Sequence, residues 1–191
     1  MFHRHTTLAI ALLQGLLMAT ALRAGELLDL SVSQQNGVYR LSADVIIDAP
    51  AAAVLERLTD YDHLTALNPS ILSSEVLEAP PAFDARVKTL IRACVLMYCQ
   101  RLQRVEDVRA SPNRLLAVIV PEQSNFSVGR TQWLLEPQGT QALVRYQAEL
   151  APDFMLPPVI GTALVKQALA RELRTVLEHL ERLAQPSPQP P

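Results

Sequence analysis

The sequence predicts an α+β fold: a curved antiparallel sheet of about seven strands wrapped around a long C-terminal helix, with two short helices after the first long strand. Three observations carry this. Strand-like runs follow one another with short connections through the middle of the chain, and such strands pair antiparallel. Val165, Leu169, Leu173, Val176, Leu180 and Leu183 recur at three- and four-residue steps, marking an amphipathic helix over 158–184. One helix must then cover the sheet's apolar face, and the space between a curved sheet and a helix is a natural ligand site.

The elements follow in chain order. Residues 1–24 read as a secretory signal peptide: a basic start with Arg4, an apolar run over 8–22, then small residues ending at Ala21 or Ala24. The run of about 15 residues is shorter than the roughly 20 that span a bilayer, which argues against the alternative of an uncleaved anchor. Loss of Arg4 and Arg23 takes Lys+Arg from 17 to 15 against 19 acidic residues, a net charge of −4. A mildly acidic chain gives no electrostatic reason to bind nucleic acid. Residues 25–184 make one domain large enough to bury a core. The Pro-rich stretch 185–191 has nothing to bury and is expected to be disordered.

Within the domain, 28–33 and 38–47 read as strands joined at Asn36-Gly37. Asp48 and Pro50 suit a helix start, and Val54, Leu55 and Leu58 share a helical face. His63 to Leu67 reads as a second short helix stopped by Pro69. Strand signals then run over 71–77, 85–94, 99–108, 115–120, 126–135 and 142–150, before Pro157-Pro158 opens the last helix.

Cys94 and Cys99 are the only cysteines. In an oxidising compartment such a pair forms a disulfide, and its geometry requires the chain to reverse between them. The expectation is a hairpin with Val95, Leu96, Met97 and Tyr98 at its tip; two buried free thiols are the alternative. A C-x4-C spacing with only the isolated His63 and His179 left in the mature chain makes no metal site. No nucleophile motif, phosphate loop or acid–base pair stands out, so no catalytic residue is assigned.

On 85–93, Ala85, Val87, Thr89, Ile91 and Ala93 share one face, and Arg86, Lys88 and Arg92 the other. If the small apolar face looks inward, the basic residues form a solvated outer face. The alternative has Arg92, Arg101 or Arg130 turned inward to anchor a ligand head group. Trp133 and Tyr146 sit on neighbouring strands as core or as ligand contacts, and Phe154-Met155-Leu156 is a second apolar segment in a connection.

The stretch DVIIDAPAAAVLERLTDYDHLTALNPSILSSEVLE (44–78) resembles the strand, helix, LTDY, short helix, proline and return strand of the START and polyketide cyclase/dehydrase superfamily, in its coenzyme Q-binding branch. GRTQWLLEPQGTQALVRYQAELAP (129–152) is similar to that branch's closing strands, and PPVIGTALVKQALARELRTVLEHLERLA (157–184) to its closing helix. The likeness spans roughly 38–184. It implies a helix-grip fold whose cavity takes an apolar or amphipathic molecule such as a lipid, quinone or polyketide. A minority of the superfamily are cyclases or dehydratases. The signal peptide and the cysteine pair depart from the pattern.

The site expected from this resemblance comprises Val87, Ile91, Leu96, Met97, Tyr98, Phe126, Arg130, Trp133, Tyr146, Phe154, Leu169 and Leu173, at the cavity or its mouth. The expected protein is a periplasmic carrier of a hydrophobic small molecule, without cofactor or metal, whose greasy loops gate the cavity or touch a membrane. Two other readings stand beside it: a cyclase or dehydratase with ionisable side chains converging in the cavity, and an interaction module without a small ligand. The oligomeric state is not legible.

Overall fold

A computed structural model describes residues 26–154 and 160–185. The proposed signal peptide, residues 186–191 of the C-terminal tail, and Met155 and Leu156 lie outside the described residues. Eight strands, rather than about seven, form one antiparallel sheet. They are β1 (Glu26–Gln35), β2 (Val38–Ile47), β3 (Ile71–Leu77), β4 (Ala85–Val95), β5 (Tyr98–Ser111), β6 (Arg114–Ile119), β7 (Phe126–Gln138) and β8 (Gln141–Pro152), in the order β1-β2-β8-β7-β6-β5-β4-β3. The first hairpin is the one expected over 28–33 and 38–47, and β1 pairs along its length with β2 across Asn36-Gly37. Both turn residues take positive φ, 51° and 81°, as a two-residue hairpin turn of this composition requires.

Helix α1 (Ala51–Thr59) follows β2, and helix α2 (Thr162–Ala184) closes the chain. The second short helix expected at 63–67 is a 3-10 segment, Tyr61–Ala66, and His63 inside it leaves helical φ/ψ. Asp48 does not cap α1. Pro50 occupies that position without a side-chain bond, and the Asp48 backbone N–H donates to the Glu181 carboxylate at 3.2 Å. Helix α2 begins at Thr162, not at Pro158, because Gly161 is still extended (φ −71°, ψ 156°).

Helix α2 touches β1, β2 and β4. In the sheet order β2 and β4 stand five strand spacings apart, about 24 Å if flat, whereas a helix is only about 10 Å wide. The sheet therefore curls around the helix, which is the helix-grip fold. The two halves of α2 do different work. Leu177, Leu180 and Ala184, near its C-terminus, are buried in one cluster with Val54 and Leu58 of α1 and with Ile47, Leu135 and Val144 of the sheet. Arg57 Nε donates to the Leu183 carbonyl at 3.0 Å and ties the helices together. The N-terminal half instead lines a space.

Candidate functional site: a cavity between sheet and helix

That space is a cavity of about 340 Å³. Its floor is the inner face of β4 to β8, and its roof is the first half of α2 with Leu58 of α1 and the 3-10 segment. Strand alternation selects the wall. Val87 and Ile91 on β4 point in, as do Leu102 and Val108 on β5 and Thr131 and Trp133 on β7. The small apolar face of 85–93 thus looks inward.

Of the expected residues, Val87, Ile91, Tyr98, Phe126, Trp133, Tyr146, Phe154, Leu169 and Leu173 all border this cavity. Trp133 and Tyr146 are cross-strand partners whose rings lie 4.5 Å apart, tilted by 60°. Arg130 does not join them. Its neighbours Gly129 and Thr131 face the cavity, so alternation places Arg130 on the opposite side, in a shallow polar depression with Ser42, Gln132 and Gln147. Leu96 and Met97 are exposed at the hairpin tip and stand outside the cavity wall.

The hairpin differs from a four-residue loop. Val95 and Tyr98 are paired, so Leu96 and Met97 alone make the turn. The pair's side chains line the cavity's end. The Cys94–Cys99 disulfide sits one step behind, between directly opposed residues with Cα atoms 4.1 Å apart. Such a bond points to an oxidising, exported environment.

One polar cluster interrupts the apolar wall. Arg104 and Glu106, two apart on β5, both face inward, and Arg104 Nε lies 2.9 Å from a Glu106 carboxylate oxygen. The approach is an ion pair without hydrogen-bond alignment. Among the described residues no acceptor meets the terminal nitrogens of Arg104. Glu106 is buried. The Tyr146 hydroxyl joins them. Burial pushes its pKa up to about 12, Glu106 adds to the rise, and Arg104 and a bond with Thr131 oppose it.

Sequence reasoning turned to Arg92, which does border the cavity, and to Arg101 and Arg130, which do not, and passed over Arg104. The available signal was parity: Leu102, Arg104, Glu106 and Val108 share one face, and the apolar residues at both ends mark it as inner. A second polar group lies under α2, where Asn68 Nδ2 donates to Glu172 at 2.9 Å. Tyr61 also lines the cavity, its pKa pushed up to about 12 by burial and then by Asp84. His63 is exposed and hydrogen-bonded to Asp60 at 2.7 Å, which raises its pKa, and it lies off the cavity. Among the described residues no group of three or more His, Cys, Asp or Glu comes together to hold a metal.

A sheet curled on one helix around a mostly apolar cavity with one polar end defines a helix-grip protein of the START-like class. The match to a family model then places the chain: residues 39–185 fit the family described as polyketide cyclase / dehydrase and lipid transport, and the protein belongs to it. Solved structures agree on the fold. A START superfamily protein from Mycobacterium smegmatis is 16% identical (TM-score 0.60, covering 75% of this chain and 94% of that one). The Zhui aromatase/cyclase from Streptomyces sp. R1128 is 14% identical (TM-score 0.61, 77% and 93%). A STAR-related lipid transfer protein from Xanthomonas axonopodis is 17% identical (TM-score 0.61, 82% and 99%). No curated protein matches the chain significantly.

Proposed function

We propose that this protein is a periplasmic carrier of a hydrophobic small molecule, of the lipid, quinone or polyketide kind, held between sheet and α2. The observation that carries the reading is the cavity: about 340 Å³, walled mostly by aliphatic and aromatic side chains, with Arg104, Glu106 and Tyr146 as one polar cluster in that wall. The size falls at the small end of ligand sites, and a few placed polar groups in an apolar wall orient a ligand. The apolar body would lie along Val87, Ile91, Trp133, Leu169 and Leu173. An oxygen function would meet the free donors of Arg104. The disulfide and the N-terminal segment support export.

The same polar cluster favours a second reading. Glu106 beside Arg104 and Tyr146 is an ionisable group in an apolar cavity next to donors, an arrangement that suits proton abstraction beside a carbonyl that Arg104 polarises. That would make the protein a cyclase or dehydratase.

Native mass spectrometry of protein taken from the periplasm without detergent, followed by solvent extraction, tests both. A reproducible apolar adduct that returns unchanged after incubation supports the carrier. A compound that the protein converts, with conversion abolished by Glu106→Gln, supports the enzyme. Protein that stays free of adduct and takes up no fatty acid, quinone or aromatic polyketide sinks both.

A further inference from the structure

The tip of the β4–β5 hairpin is built against two ordinary preferences. Met97 is 97% exposed and Leu96 72%. Leu96 also holds a φ of 55°, the left-handed region where a two-residue hairpin turn normally takes Gly, Asn or Asp. Other two-residue hairpin turns of the described residues that open on a positive φ, Asn36-Gly37 and Gly139-Thr140, place Asn or Gly there. A polar or glycine turn here would relieve both the backbone and the solvent, so the apolar side chains answer to something outside the domain.

The flanks say what it is. Three steps behind the Val95–Tyr98 pair that closes the turn, Arg92 and Arg101 stand directly opposite one another across the strands, both exposed. Like charges so placed destabilise a hairpin. Elsewhere on β4 the cations are matched, Arg86 by Asp107 at 2.6 Å and Lys88 by Glu75 at 3.3 Å. Among the described residues neither Arg92 nor Arg101 has an acidic partner. A local positive collar behind an apolar tip, on a chain of net negative charge, is complementary to a surface that is anionic outside and apolar within. Between tip and collar the Cys94–Cys99 bond holds the two strands together. Val95 and Tyr98, which join the turn to the cavity wall, put the tip beside the cavity's end.

We propose that this hairpin docks the protein on an anionic lipid surface, with Leu96 and Met97 inserted among the acyl chains and Arg92 and Arg101 on the phosphates. Arginine suits phosphate oxygens through paired N–H bonds, and a small apolar insertion combined with a short basic patch gives reversible rather than permanent attachment. Docking at the cavity's end would let an apolar molecule pass between bilayer and cavity without crossing water. The docking stands independently of which molecule the cavity holds.

The test places a reporter at the tip. Met97→Trp adds one indole to a chain whose only other tryptophan, Trp133, is buried and can be subtracted with the unsubstituted protein. The full chain is mixed with phosphatidylcholine vesicles, with or without phosphatidylglycerol and with brominated acyl chains. The expected result is a blue shift and quenching of the tip indole in phosphatidylglycerol vesicles, at least tenfold weaker partitioning when Arg92→Gln and Arg101→Gln are added, and weakening with salt. Sedimentation with vesicles without quenching at the tip would overturn the proposal, since the apolar run at 8–22 would then be doing the binding. Tip quenching of equal strength in neutral vesicles would overturn the role of the arginines. An unchanged melting temperature in the variants keeps misfolding out of the comparison, and adducts in native mass spectra report the cavity separately.

Discussion

Arg104 Nε lies 2.9 Å from the carboxylate of Glu106, and the two side chains share the cavity wall. Glu106 is about nine-tenths buried through its side chain and Arg104 about two-thirds, with relative exposures of 10% and 33%. Removing one partner strands the other. Arg104→Met is expected to cost about 1–3 kcal/mol by urea denaturation, below the fully buried case because water still reaches the guanidinium. Arg104→Met with Glu106→Leu should recover much of that loss. In ligand titrations, Arg104→Met should weaken an oxygen-bearing apolar ligand by about 10- to 100-fold, the worth of a charge-assisted hydrogen bond. Equal affinity in wild type and variant would remove Arg104 from the site.

Gly129 makes a prediction about cavity shape. A Cβ built on it would lie 2.8 Å from the Cβ of Ile119 on the neighbouring strand, closer than real side chains approach. The contact involves the first carbon of each side chain, so rotation cannot relieve it, and β6 and β7 would have to separate. Gly129→Ala is expected to cost about 1–3 kcal/mol and to lower adduct occupancy in native mass spectra, because both residues border the cavity. An alanine variant with unchanged denaturation midpoint would show that the strands yield freely.

The limits of the sequence are visible in one strand. On β5, Val105 is almost fully buried on the face opposite Leu102 and Val108. The 3-10 turn Pro121–Gln123 and the Ser124 hydroxyl, which accepts from Val105 N–H at 2.9 Å, pack there. Both faces of β5 are therefore partly inside, so the parity that groups Arg104 and Glu106 with Leu102 and Val108 competes with a second apolar signal from Val105 on the opposite face. The other strands were legible because one face meets the core and the other solvent, as on β2, where Tyr39, Leu41, Ala43, Val45 and Ile47 are buried. The start of α2 was not, since Pro157-Pro158 suits a helix start while the extended Gly161 delays it to Thr162. The Asn68–Glu172 hydrogen bond joins residues more than a hundred positions apart, a distance that periodicity does not bridge.

The disulfide should shape the hairpin more than it stabilises the domain. It closes a very short loop, for which chain entropy gives about 2 kcal/mol. Cys94→Ala with Cys99→Ala is expected to lower the melting temperature by about 4–8 °C in a domain of this size. A reducing agent should produce the same shift in the wild type and none in the double variant, as read by calorimetry. A much larger loss would mean that the hairpin is integral to the core.

Alkaline pH should probe the cavity through Tyr146. Its pKa is pushed from 10 up to about 12, first by burial. The neutral phenol is the form that fits the fold, so its stabilising contribution is complete below pH 10, where the unfolded chain also keeps the proton. Above pH 10 the unfolded chain ionises and the folded one does not, and the contribution is lost as pH rises to about 12. Tyr61, raised to about 12 as well, acts in the same direction. Stability measured by urea denaturation is therefore expected to fall from pH 10 to 12, and less steeply in Tyr146→Phe. Absorbance at the phenolate band should show Tyr61 and Tyr146 ionising late, toward pH 12. A bound apolar molecule excludes water from Tyr146 and should delay its ionisation further, whereas a ligand resting elsewhere would leave the titration curve unmoved.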